Sequence, residues 1–117
     1  MLFLQTNRFQ GMKVEFEKEY LHELYNTGKT TDKKHRYQPN IINGYVKCVR
    51  TLINAENYEE LFTYNSLRYE KLKGEKRGLS SVRINYQYRL EFREIVSSNN
   101  ILGIEICSLV DITNHYK

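Results

Sequence analysis

Basic residues gather in the second half of the sequence, within the stretch KLKGEKRGLSSVRINYQYRLEF. Lys71 and Lys73 precede a glycine-bounded turn that carries Arg77, and Arg83 and Arg89 follow in the next apolar-alternating segments. A guanidinium is planar and permanently charged, so it can hold a phosphate through two hydrogen bonds at once. Cations grouped in this way are typical of a site that binds a phosphate backbone.

The alternation of residue types predicts that Arg83, Arg89 and Arg93 share one face of a sheet, with the other basic residues in or beside the preceding turn. Over 79–85 and again over 88–93, apolar residues occupy one face of a strand and polar residues, Arg89 among them, the other, because successive side chains of a strand point to opposite sides. The apolar face can pack on helices, which leaves the cationic face open. The alternative is a solvated face in which the cations pair with Glu91 or Glu94.

A second candidate group lies at the end of the sequence, in Asn114, His115 and Tyr116. Histidine titrates near neutrality and can transfer protons, tyrosine can do so when cations lower its pKa, and both rings can stack on bases. The alternative is a solvated surface histidine. The catalytic interpretation requires these residues to fold back beside Arg89.

Motifs for metal- or nucleotide-dependent chemistry are missing from the sequence: it has no HExxH, no P-loop, no GxSxG and no CxxC. We therefore expect no metal and no cofactor, and two buried free thiols at Cys48 and Cys107. The chemistry that remains is cleavage of RNA by its own 2′-hydroxyl. That reaction needs a proton acceptor, cations around the phosphate and a proton donor to the leaving oxygen.

Size and charge limit the domain count and the class of partner. The 117 residues suffice for one domain, and the net charge of +4 favours an anionic partner. Because no apolar run approaches the length of a membrane span, we expect a cytoplasmic protein that does not bind membranes. We predict a single domain over 12–117, preceded by an extension of uncertain structure over 1–11 or by an added edge strand there.

Hydrophobic periodicity predicts an α+β domain in which two N-terminal helices pack on one face of a mainly antiparallel sheet of about four to five strands. A strand over 13–16 leads into a first helix that stops at Gly28, and a second helix runs from Pro39 to about Asn54. Further strands are predicted over 67–72, 79–85, 86–96 and 101–110, with a hairpin turn over 97–100 and a polar tail over 111–117.

The run K-G-x-x-x-G-x-x-S-x-R-x-N-x-x-x-R-L-x-F, from Lys73 to Phe92, resembles the HigB-type toxins of the RelE/ParE superfamily, which are also called plasmid maintenance system killer proteins. The resemblance extends over 12–117. It implies the RelE/ParE fold and a toxin of a type II toxin–antitoxin system that cleaves mRNA on the ribosome without a metal. It also implies neutralisation by a helix-turn-helix, HigA-like antitoxin encoded by an adjacent gene.

The resemblance also assigns roles to residues. Arg89 matches the arginine expected to hold the scissile phosphate, Lys73 matches a family lysine, and Arg83 occupies a position that is often basic. The expected catalytic residues are Arg89, His115, Tyr116 and Lys73, and the expected RNA-binding residues are Lys71, Arg77, Arg83 and Asn114.

The general base stays open in this interpretation. Asn114, His115 and Tyr116 fall where better-known members carry Asp, Tyr and His, so similar residue types occur in another order. Glu70 stands where some members have a catalytic His and is an alternative base; His115 is favoured and Tyr116 is the third candidate.

Two other functions are compatible with the resemblance. The superfamily includes toxins that poison DNA gyrase and cleave no RNA, and a degenerate toxin would serve only to bind its antitoxin. The presence of His115 and Tyr116 with an arginine-lined face favours the nuclease.

Overall fold

The computed structural model describes residues 12–96 and 105–114 as a five-stranded sheet with two helices on one face. In chain order the elements are β1 (Met12–Phe16), α1 (Glu19–Thr27), α2 (Pro39–Asn54), β2 (Glu70–Lys71), β3 (Leu79–Arg83), β4 (Tyr88–Val96) and β5 (Glu105–Asn114). Short 3₁₀ turns occupy Lys33–His35, Tyr58–Thr63, Asn65–Leu67 and Gly74–Lys76. The predicted α+β class is confirmed. The predictions for 1–11, for the turn over 97–100 and for His115 and Tyr116 lie outside the described residues.

The strands lie in the order β1-β5-β4-β3-β2, so β5 is an inner strand. β1 pairs with it in parallel, and every other neighbouring pair of strands is antiparallel. This arrangement agrees with the predicted mainly antiparallel sheet. It also brings the first and the last described strands side by side, which local sequence patterns do not reveal.

Both helices bury the apolar stripes that their periodicity predicts. α2 begins at Pro39, whose fixed φ suits a first helical turn, and α1 ends at Gly28 as expected. The buried residues of α2 are Ile41, Tyr45, Cys48, Val49 and Leu52. They meet Leu21 and Leu24 of α1 and the apolar face of the sheet in one core.

The apolar face of the sheet follows the predicted alternation in β3 and β4. Val82, Leu90 and Phe92 are fully buried in the core. In β5 the core side chains are Cys107 and Leu109, and then Ile112 rather than residue 111. The register shows why: Glu91 lies opposite Asp111 and Phe92 opposite Leu109, so Val110 is an extra residue that forms a β-bulge.

Two predicted segments are wrong. The strand over 67–72 contains only Glu70–Lys71, because the chain first forms the 3₁₀ turn Asn65–Leu67 and then passes through Arg68 with a left-handed backbone, φ 48°. The polar tail does not begin at residue 111, because β5 continues through Asn114, paired with β4 along its whole length.

Two further expectations concern the cysteines and the helices. Cys48 and Cys107 are buried free thiols, as predicted. Neither α1 nor α2, the helices within the described ranges, has the length and apolar character needed to cross a membrane.

Candidate functional site

The open face of the sheet, opposite the helices, brings polar side chains of three neighbouring strands together. Arg83 lies opposite Arg89 in the β3–β4 register, and Thr113 of β5 lies opposite Arg89 on the other side. One pair further along, Ser81 lies opposite Glu91. Because the bulge at Val110 shifts the phase of β5, Thr113 shares the open face with Glu91 and its hydroxyl reaches that carboxylate.

A cleft of about 280 Å³ opens on this face beside the edge strand β2 and the turn that follows it. It is lined by Glu70, Leu72, Lys73, Lys76, Ser81, Arg89, Glu91, Thr113 and Asn114. The lining therefore comes from one edge strand, the cationic turn and three sheet strands. Four of the residues that the sequence singled out lie around it: Glu70, Lys73, Arg89 and Asn114.

Arg89 is held in a fixed orientation within the cleft. Its Nε donates to Ser81 Oγ at 3.0 Å, and its Nη2 donates to the backbone carbonyl of Arg68 at 2.8 Å. Both acceptors are neutral, and Arg89 forms no ion pair with any carboxylate in the described ranges. A guanidinium has five N–H donors, so the remaining donors and the full charge stay available to an anion.

The carbonyl that fixes Arg89 belongs to a strained residue. Arg68 adopts φ 48° and ψ 45°, a left-handed conformation that costs a non-glycine residue about 1 kcal/mol or more. The 3₁₀ turn before it and the strand β2 after it hold Arg68 in this conformation. The left-handed backbone of Arg68 places its carbonyl oxygen where it accepts a hydrogen bond from Arg89, the candidate phosphate ligand.

Glu91 is the buried acidic group of the cleft. Only 6 % of its surface is exposed. One carboxylate oxygen, Oε2, accepts hydrogen bonds from Lys76 Nζ at 2.6 Å and from Thr113 Oγ1 at 3.1 Å. Glu91 therefore joins the turn on one side of the cleft to the last strand on the other.

The remaining cations divide into paired and unpaired residues. Lys71 pairs with Glu94 at 3.5 Å and does not line the cleft. Lys73 lines the cleft and, within the described part of the chain, makes no ion pair. Arg77 and Arg83 likewise lack an ion pair with a described residue, and they lie outside the lining.

The alternative of a face saturated by cross-strand ion pairs therefore describes only some of the cations. Glu91 and Glu94 pair with lysines rather than with the strand arginines. On the open face Arg93 pairs with Glu17, beyond the end of β1, with 2.9 Å between its Nε and Oε2. Arg89 stays unpaired among the described residues, as a phosphate ligand should.

A second polar cluster lies away from the cleft, where β5 extends past the end of β1. The Tyr20 hydroxyl donates to the Asp111 carboxylate and accepts from the Ile112 N–H at 2.9 Å. Burial, and next the hydrogen bond to Asp111, raise the pKa of Tyr20 far above its ordinary value. His35 stacks on the Tyr20 ring with centroids 3.6 Å apart, and its Nδ1 lies 2.9 Å from Asp32.

Several residues of the cleft were not found from the sequence. Arg68 gave no signal, because a left-handed arginine has no sequence signature. Thr113 was assigned to a polar tail, and it entered the cleft only through the bulge. The sequence indicated that Glu91 lies on the same strand face as Arg89. It did not indicate that Glu91 is buried or bonded to Lys76, because both depend on how the turn Gly74–Lys76 folds over the sheet.

Comparisons with known proteins agree on one family. The model of the HigB-like toxins, described as RelE-like toxins of the type II toxin–antitoxin system HigB, matches residues 14–104. Toxin HigB-1 of Vibrio cholerae serotype O1 is 34% identical over 83 residues, which is 70% of this chain and 83% of the relative. Glu70, Lys73 and Arg89 lie inside the range of the family model, and Asn114 lies beyond it.

A solved structure supports the same fold. The YoeB/ParE toxin from Agrobacterium tumefaciens superposes with a TM-score of 0.53, covering 90% of this chain and all of that one. The two sequences are only 18% identical, so this similarity concerns the fold alone.

Proposed function

Because the chain belongs to the HigB-like family of RelE-like toxins of type II toxin–antitoxin systems, we propose that it is a metal-free endoribonuclease that cleaves mRNA on the ribosome. Toxins of this family are generally ribonucleases, and membership implies an antitoxin partner. The observation that carries the proposal is Arg89, oriented by two neutral acceptors in an open cleft and unpaired among the described residues.

The cleft residues supply the charges that phosphodiester cleavage requires. The RNA 2′-hydroxyl loses its proton to a base, its oxygen bonds to the adjacent phosphorus, and the bond from phosphorus to the 5′-oxygen breaks as that oxygen gains a proton. The products are a 2′,3′-cyclic phosphate and a 5′-hydroxyl. Arg89 and Lys73 bind the phosphate and stabilise the negative charge that builds up on its oxygens.

One residue is assigned to proton transfer, and one alternative lines the cleft. His115 follows directly after Asn114, which lines the cleft, so we assign proton transfer to His115 and orientation of the nucleotide to Tyr116. Glu70 also lines the cleft beside Lys73 and is the alternative proton acceptor. Lys71, Arg77 and Arg83 lie outside the lining, and they would contact the RNA strand as it leaves the cleft.

Cleavage of a defined mRNA on translating ribosomes, by protein that has first been stripped of metals with EDTA and then freed of the chelator, tests the proposal. We expect the wild type to cut, Arg89→Ala to cut at least about a hundredfold more slowly, and the products to carry 2′,3′-cyclic phosphates. Arg93→Ala is a matched control, because Arg93 lies on the same strand face but pairs with Glu17 outside the cleft. Unchanged cleavage by Arg89→Ala, or a wild type that blocks gyrase supercoiling and leaves mRNA intact, would contradict the proposal.

The proposed partners follow from the toxin–antitoxin class. We assign neutralisation to a helix-turn-helix, HigA-like antitoxin encoded by an adjacent gene, and the ribosomal target puts the toxin in the cytoplasm. Co-expression with that neighbouring reading frame should yield a stable complex that no longer cuts mRNA. A neighbouring product that neither binds nor protects growing cells would refute the assignment of this partner.

A further inference from the structure

A buried carboxylate is an unexpected group in a cleft proposed to bind phosphate. The carboxylate of Glu91 lies on the same sheet face as Arg89, one pair along the strand. Its negative charge repels the negative charge of a phosphate. Glu91 must therefore weaken the attraction of this cleft for RNA. Burying a carboxylate also costs free energy unless hydrogen-bond partners compensate. Its two partners indicate what it does instead.

Those partners come from opposite sides of the cleft. Lys76 belongs to the 3₁₀ turn Gly74–Lys76, and Thr113 belongs to the last described strand. Both donate to the same oxygen of Glu91. This carboxylate is thus a side-chain connection between the cationic turn and β5.

The turn needs such an anchor because its backbone is permissive. It lies between Gly74 at φ +68° and Gly78 at φ +100°, two left-handed positions at which glycine is nearly free of steric restriction. Its own hydrogen bonds are few: Lys76 N–H to the Lys73 carbonyl at 3.3 Å and Arg77 N–H to the Gly74 carbonyl at 3.1 Å. The bond from Lys76 to Glu91 draws this turn onto the floor of the sheet.

We propose that Glu91 is a positioning residue for the cleavage reaction, in that its carboxylate holds Lys76 and Thr113 and so fixes the cationic turn against the last strand. The residue moved into place is Lys73, which directly precedes the 3₁₀ turn, lines the cleft and has no ion pair among the described residues. Glu91 thus acts through Lys76 on a proposed phosphate ligand and touches no reacting atom. This inference rests on the proposed function only for its effect on the reaction.

Glu91→Gln tests the inference, because glutamine keeps the shape and an acceptor for Thr113 but removes the charge that holds Lys76. We expect the amide hydrogens of Lys76 and Arg77 to exchange at least about tenfold faster while the amides of β4 and β5 keep their protection. Single-turnover cleavage should slow about tenfold or more. Affinity for a 2′-deoxy oligonucleotide, which cannot be cut, should change less than the cleavage rate, because the removal of a negative charge from the cleft offsets the displacement of Lys73.

A matched control and a second variant keep the result decisive. Glu17→Gln removes a carboxylate that likewise binds one cation, Arg93, and one hydroxyl, of Ser108, but outside the cleft. It should leave both turn exchange and cleavage unchanged. Lys76→Gln breaks the Glu91 bond from its half-exposed end, so it should reproduce the faster exchange even where Glu91→Gln unfolds the sheet.

The two proposals fail in different ways. If the amide hydrogens of the turn exchange at the wild-type rate in both Glu91→Gln and Lys76→Gln, the positioning role is wrong, regardless of the cleavage rate. Parallel loss of cleavage rate and oligonucleotide affinity in both variants would overturn it as well, because a fixed turn would then be needed for binding rather than for the reaction. A wild type that cuts no RNA defeats the proposed function, and the exchange experiment still decides whether Glu91 fixes the turn.

Discussion

At the scale of single residues, ion pairing distinguishes the basic residues of the sheet and its turn more clearly than their number does. Lys71, Lys76 and Arg93 each meet a carboxylate, while Lys73 and Arg89 line the cleft without one among the described residues. An unpaired cation offers its whole charge to an incoming phosphate, whereas a paired one must first lose its partner. The number of basic residues in the sequence therefore overstates the number of candidate phosphate ligands.

The contribution of Lys73 is measurable as binding. We expect Lys73→Ala to weaken affinity for a 2′-deoxy oligonucleotide about tenfold at low salt and to reduce the slope of log affinity against log salt by about one. Lys47→Ala provides the control, since Lys47 is an exposed lysine of α2, the helix packed on the other face of the sheet. Fluorescence anisotropy across a salt series gives both quantities. Equal slopes for the two variants would remove Lys73 from the phosphate site.

At the scale of secondary structure, the bulge in β5 does most to build the cleft. If Val110 were a regular paired residue instead of a bulge, the alternation from Leu109 would continue unbroken and Thr113 would face the helices. The bulge keeps Ile112 in the core and turns the Thr113 hydroxyl toward Glu91. Because of this one extra residue, Leu109 and Ile112 both lie in the core while Thr113 lies on the open face.

A tyrosine of α1 forms hydrogen bonds to the edge of β5 beyond the residues that pair with β1. β1 pairs only with the first half of β5, and beyond it the Tyr20 hydroxyl joins the Asp111 carboxylate and the Ile112 N–H. We expect Tyr20→Phe to lower the free energy of unfolding by about 2 kcal/mol, since a hydrogen bond to a charged group is lost. Tyr25→Phe is the matched control on α1, because its hydroxyl makes no hydrogen bond to a described residue. Urea unfolding of both variants checks this, and equal losses would contradict it.

At the scale of the whole molecule, sequence periodicity predicts the core and the faces of the sheet well. The stripe of α2 and the alternation of β3 and β4 are local patterns, and they appear in the structure as predicted. The parallel pairing of β1 with β5 was beyond reach because it joins distant segments. The left-handed Arg68, the bulge at Val110 and the burial of Glu91 were beyond reach because each is imposed by neighbours in space. Those three details define the cleft.

The tyrosines make a prediction for the molecule as a whole. Burial raises the pKa of Tyr20, Tyr45 and Tyr69 well above the ordinary value of 10.0, with Asp111 adding to the effect at Tyr20 and Glu94 at Tyr69. In the unfolded chain these hydroxyls lose their protons near that value, while the folded chain keeps them. The folded state is therefore favoured fully below about pH 10 and progressively less above it.

We expect the urea midpoint to decline slightly near pH 9, where the buried thiols of Cys48 and Cys107 would ionise in the unfolded chain, and to fall steeply from about pH 10 to about pH 11. Each tyrosine that is fully protected in the folded state removes up to about 1.4 kcal/mol per pH unit. Tyrosinate absorbance, followed in the same samples, should rise together with unfolding. A midpoint that does not change up to about pH 11 would show that these hydroxyls titrate normally in the folded protein.

The inner position of β5 has a consequence for synthesis. The ribosome adds β5 after every other described element, yet this strand joins β1 to the rest of the sheet and supplies the Thr113 side of the cleft. A nascent chain that lacks β5 has its helices and two hairpin strands, but β1 has no neighbour to pair with. The cleft therefore lacks its Thr113 side, and β1 lacks its partner strand, until β5 has been synthesised.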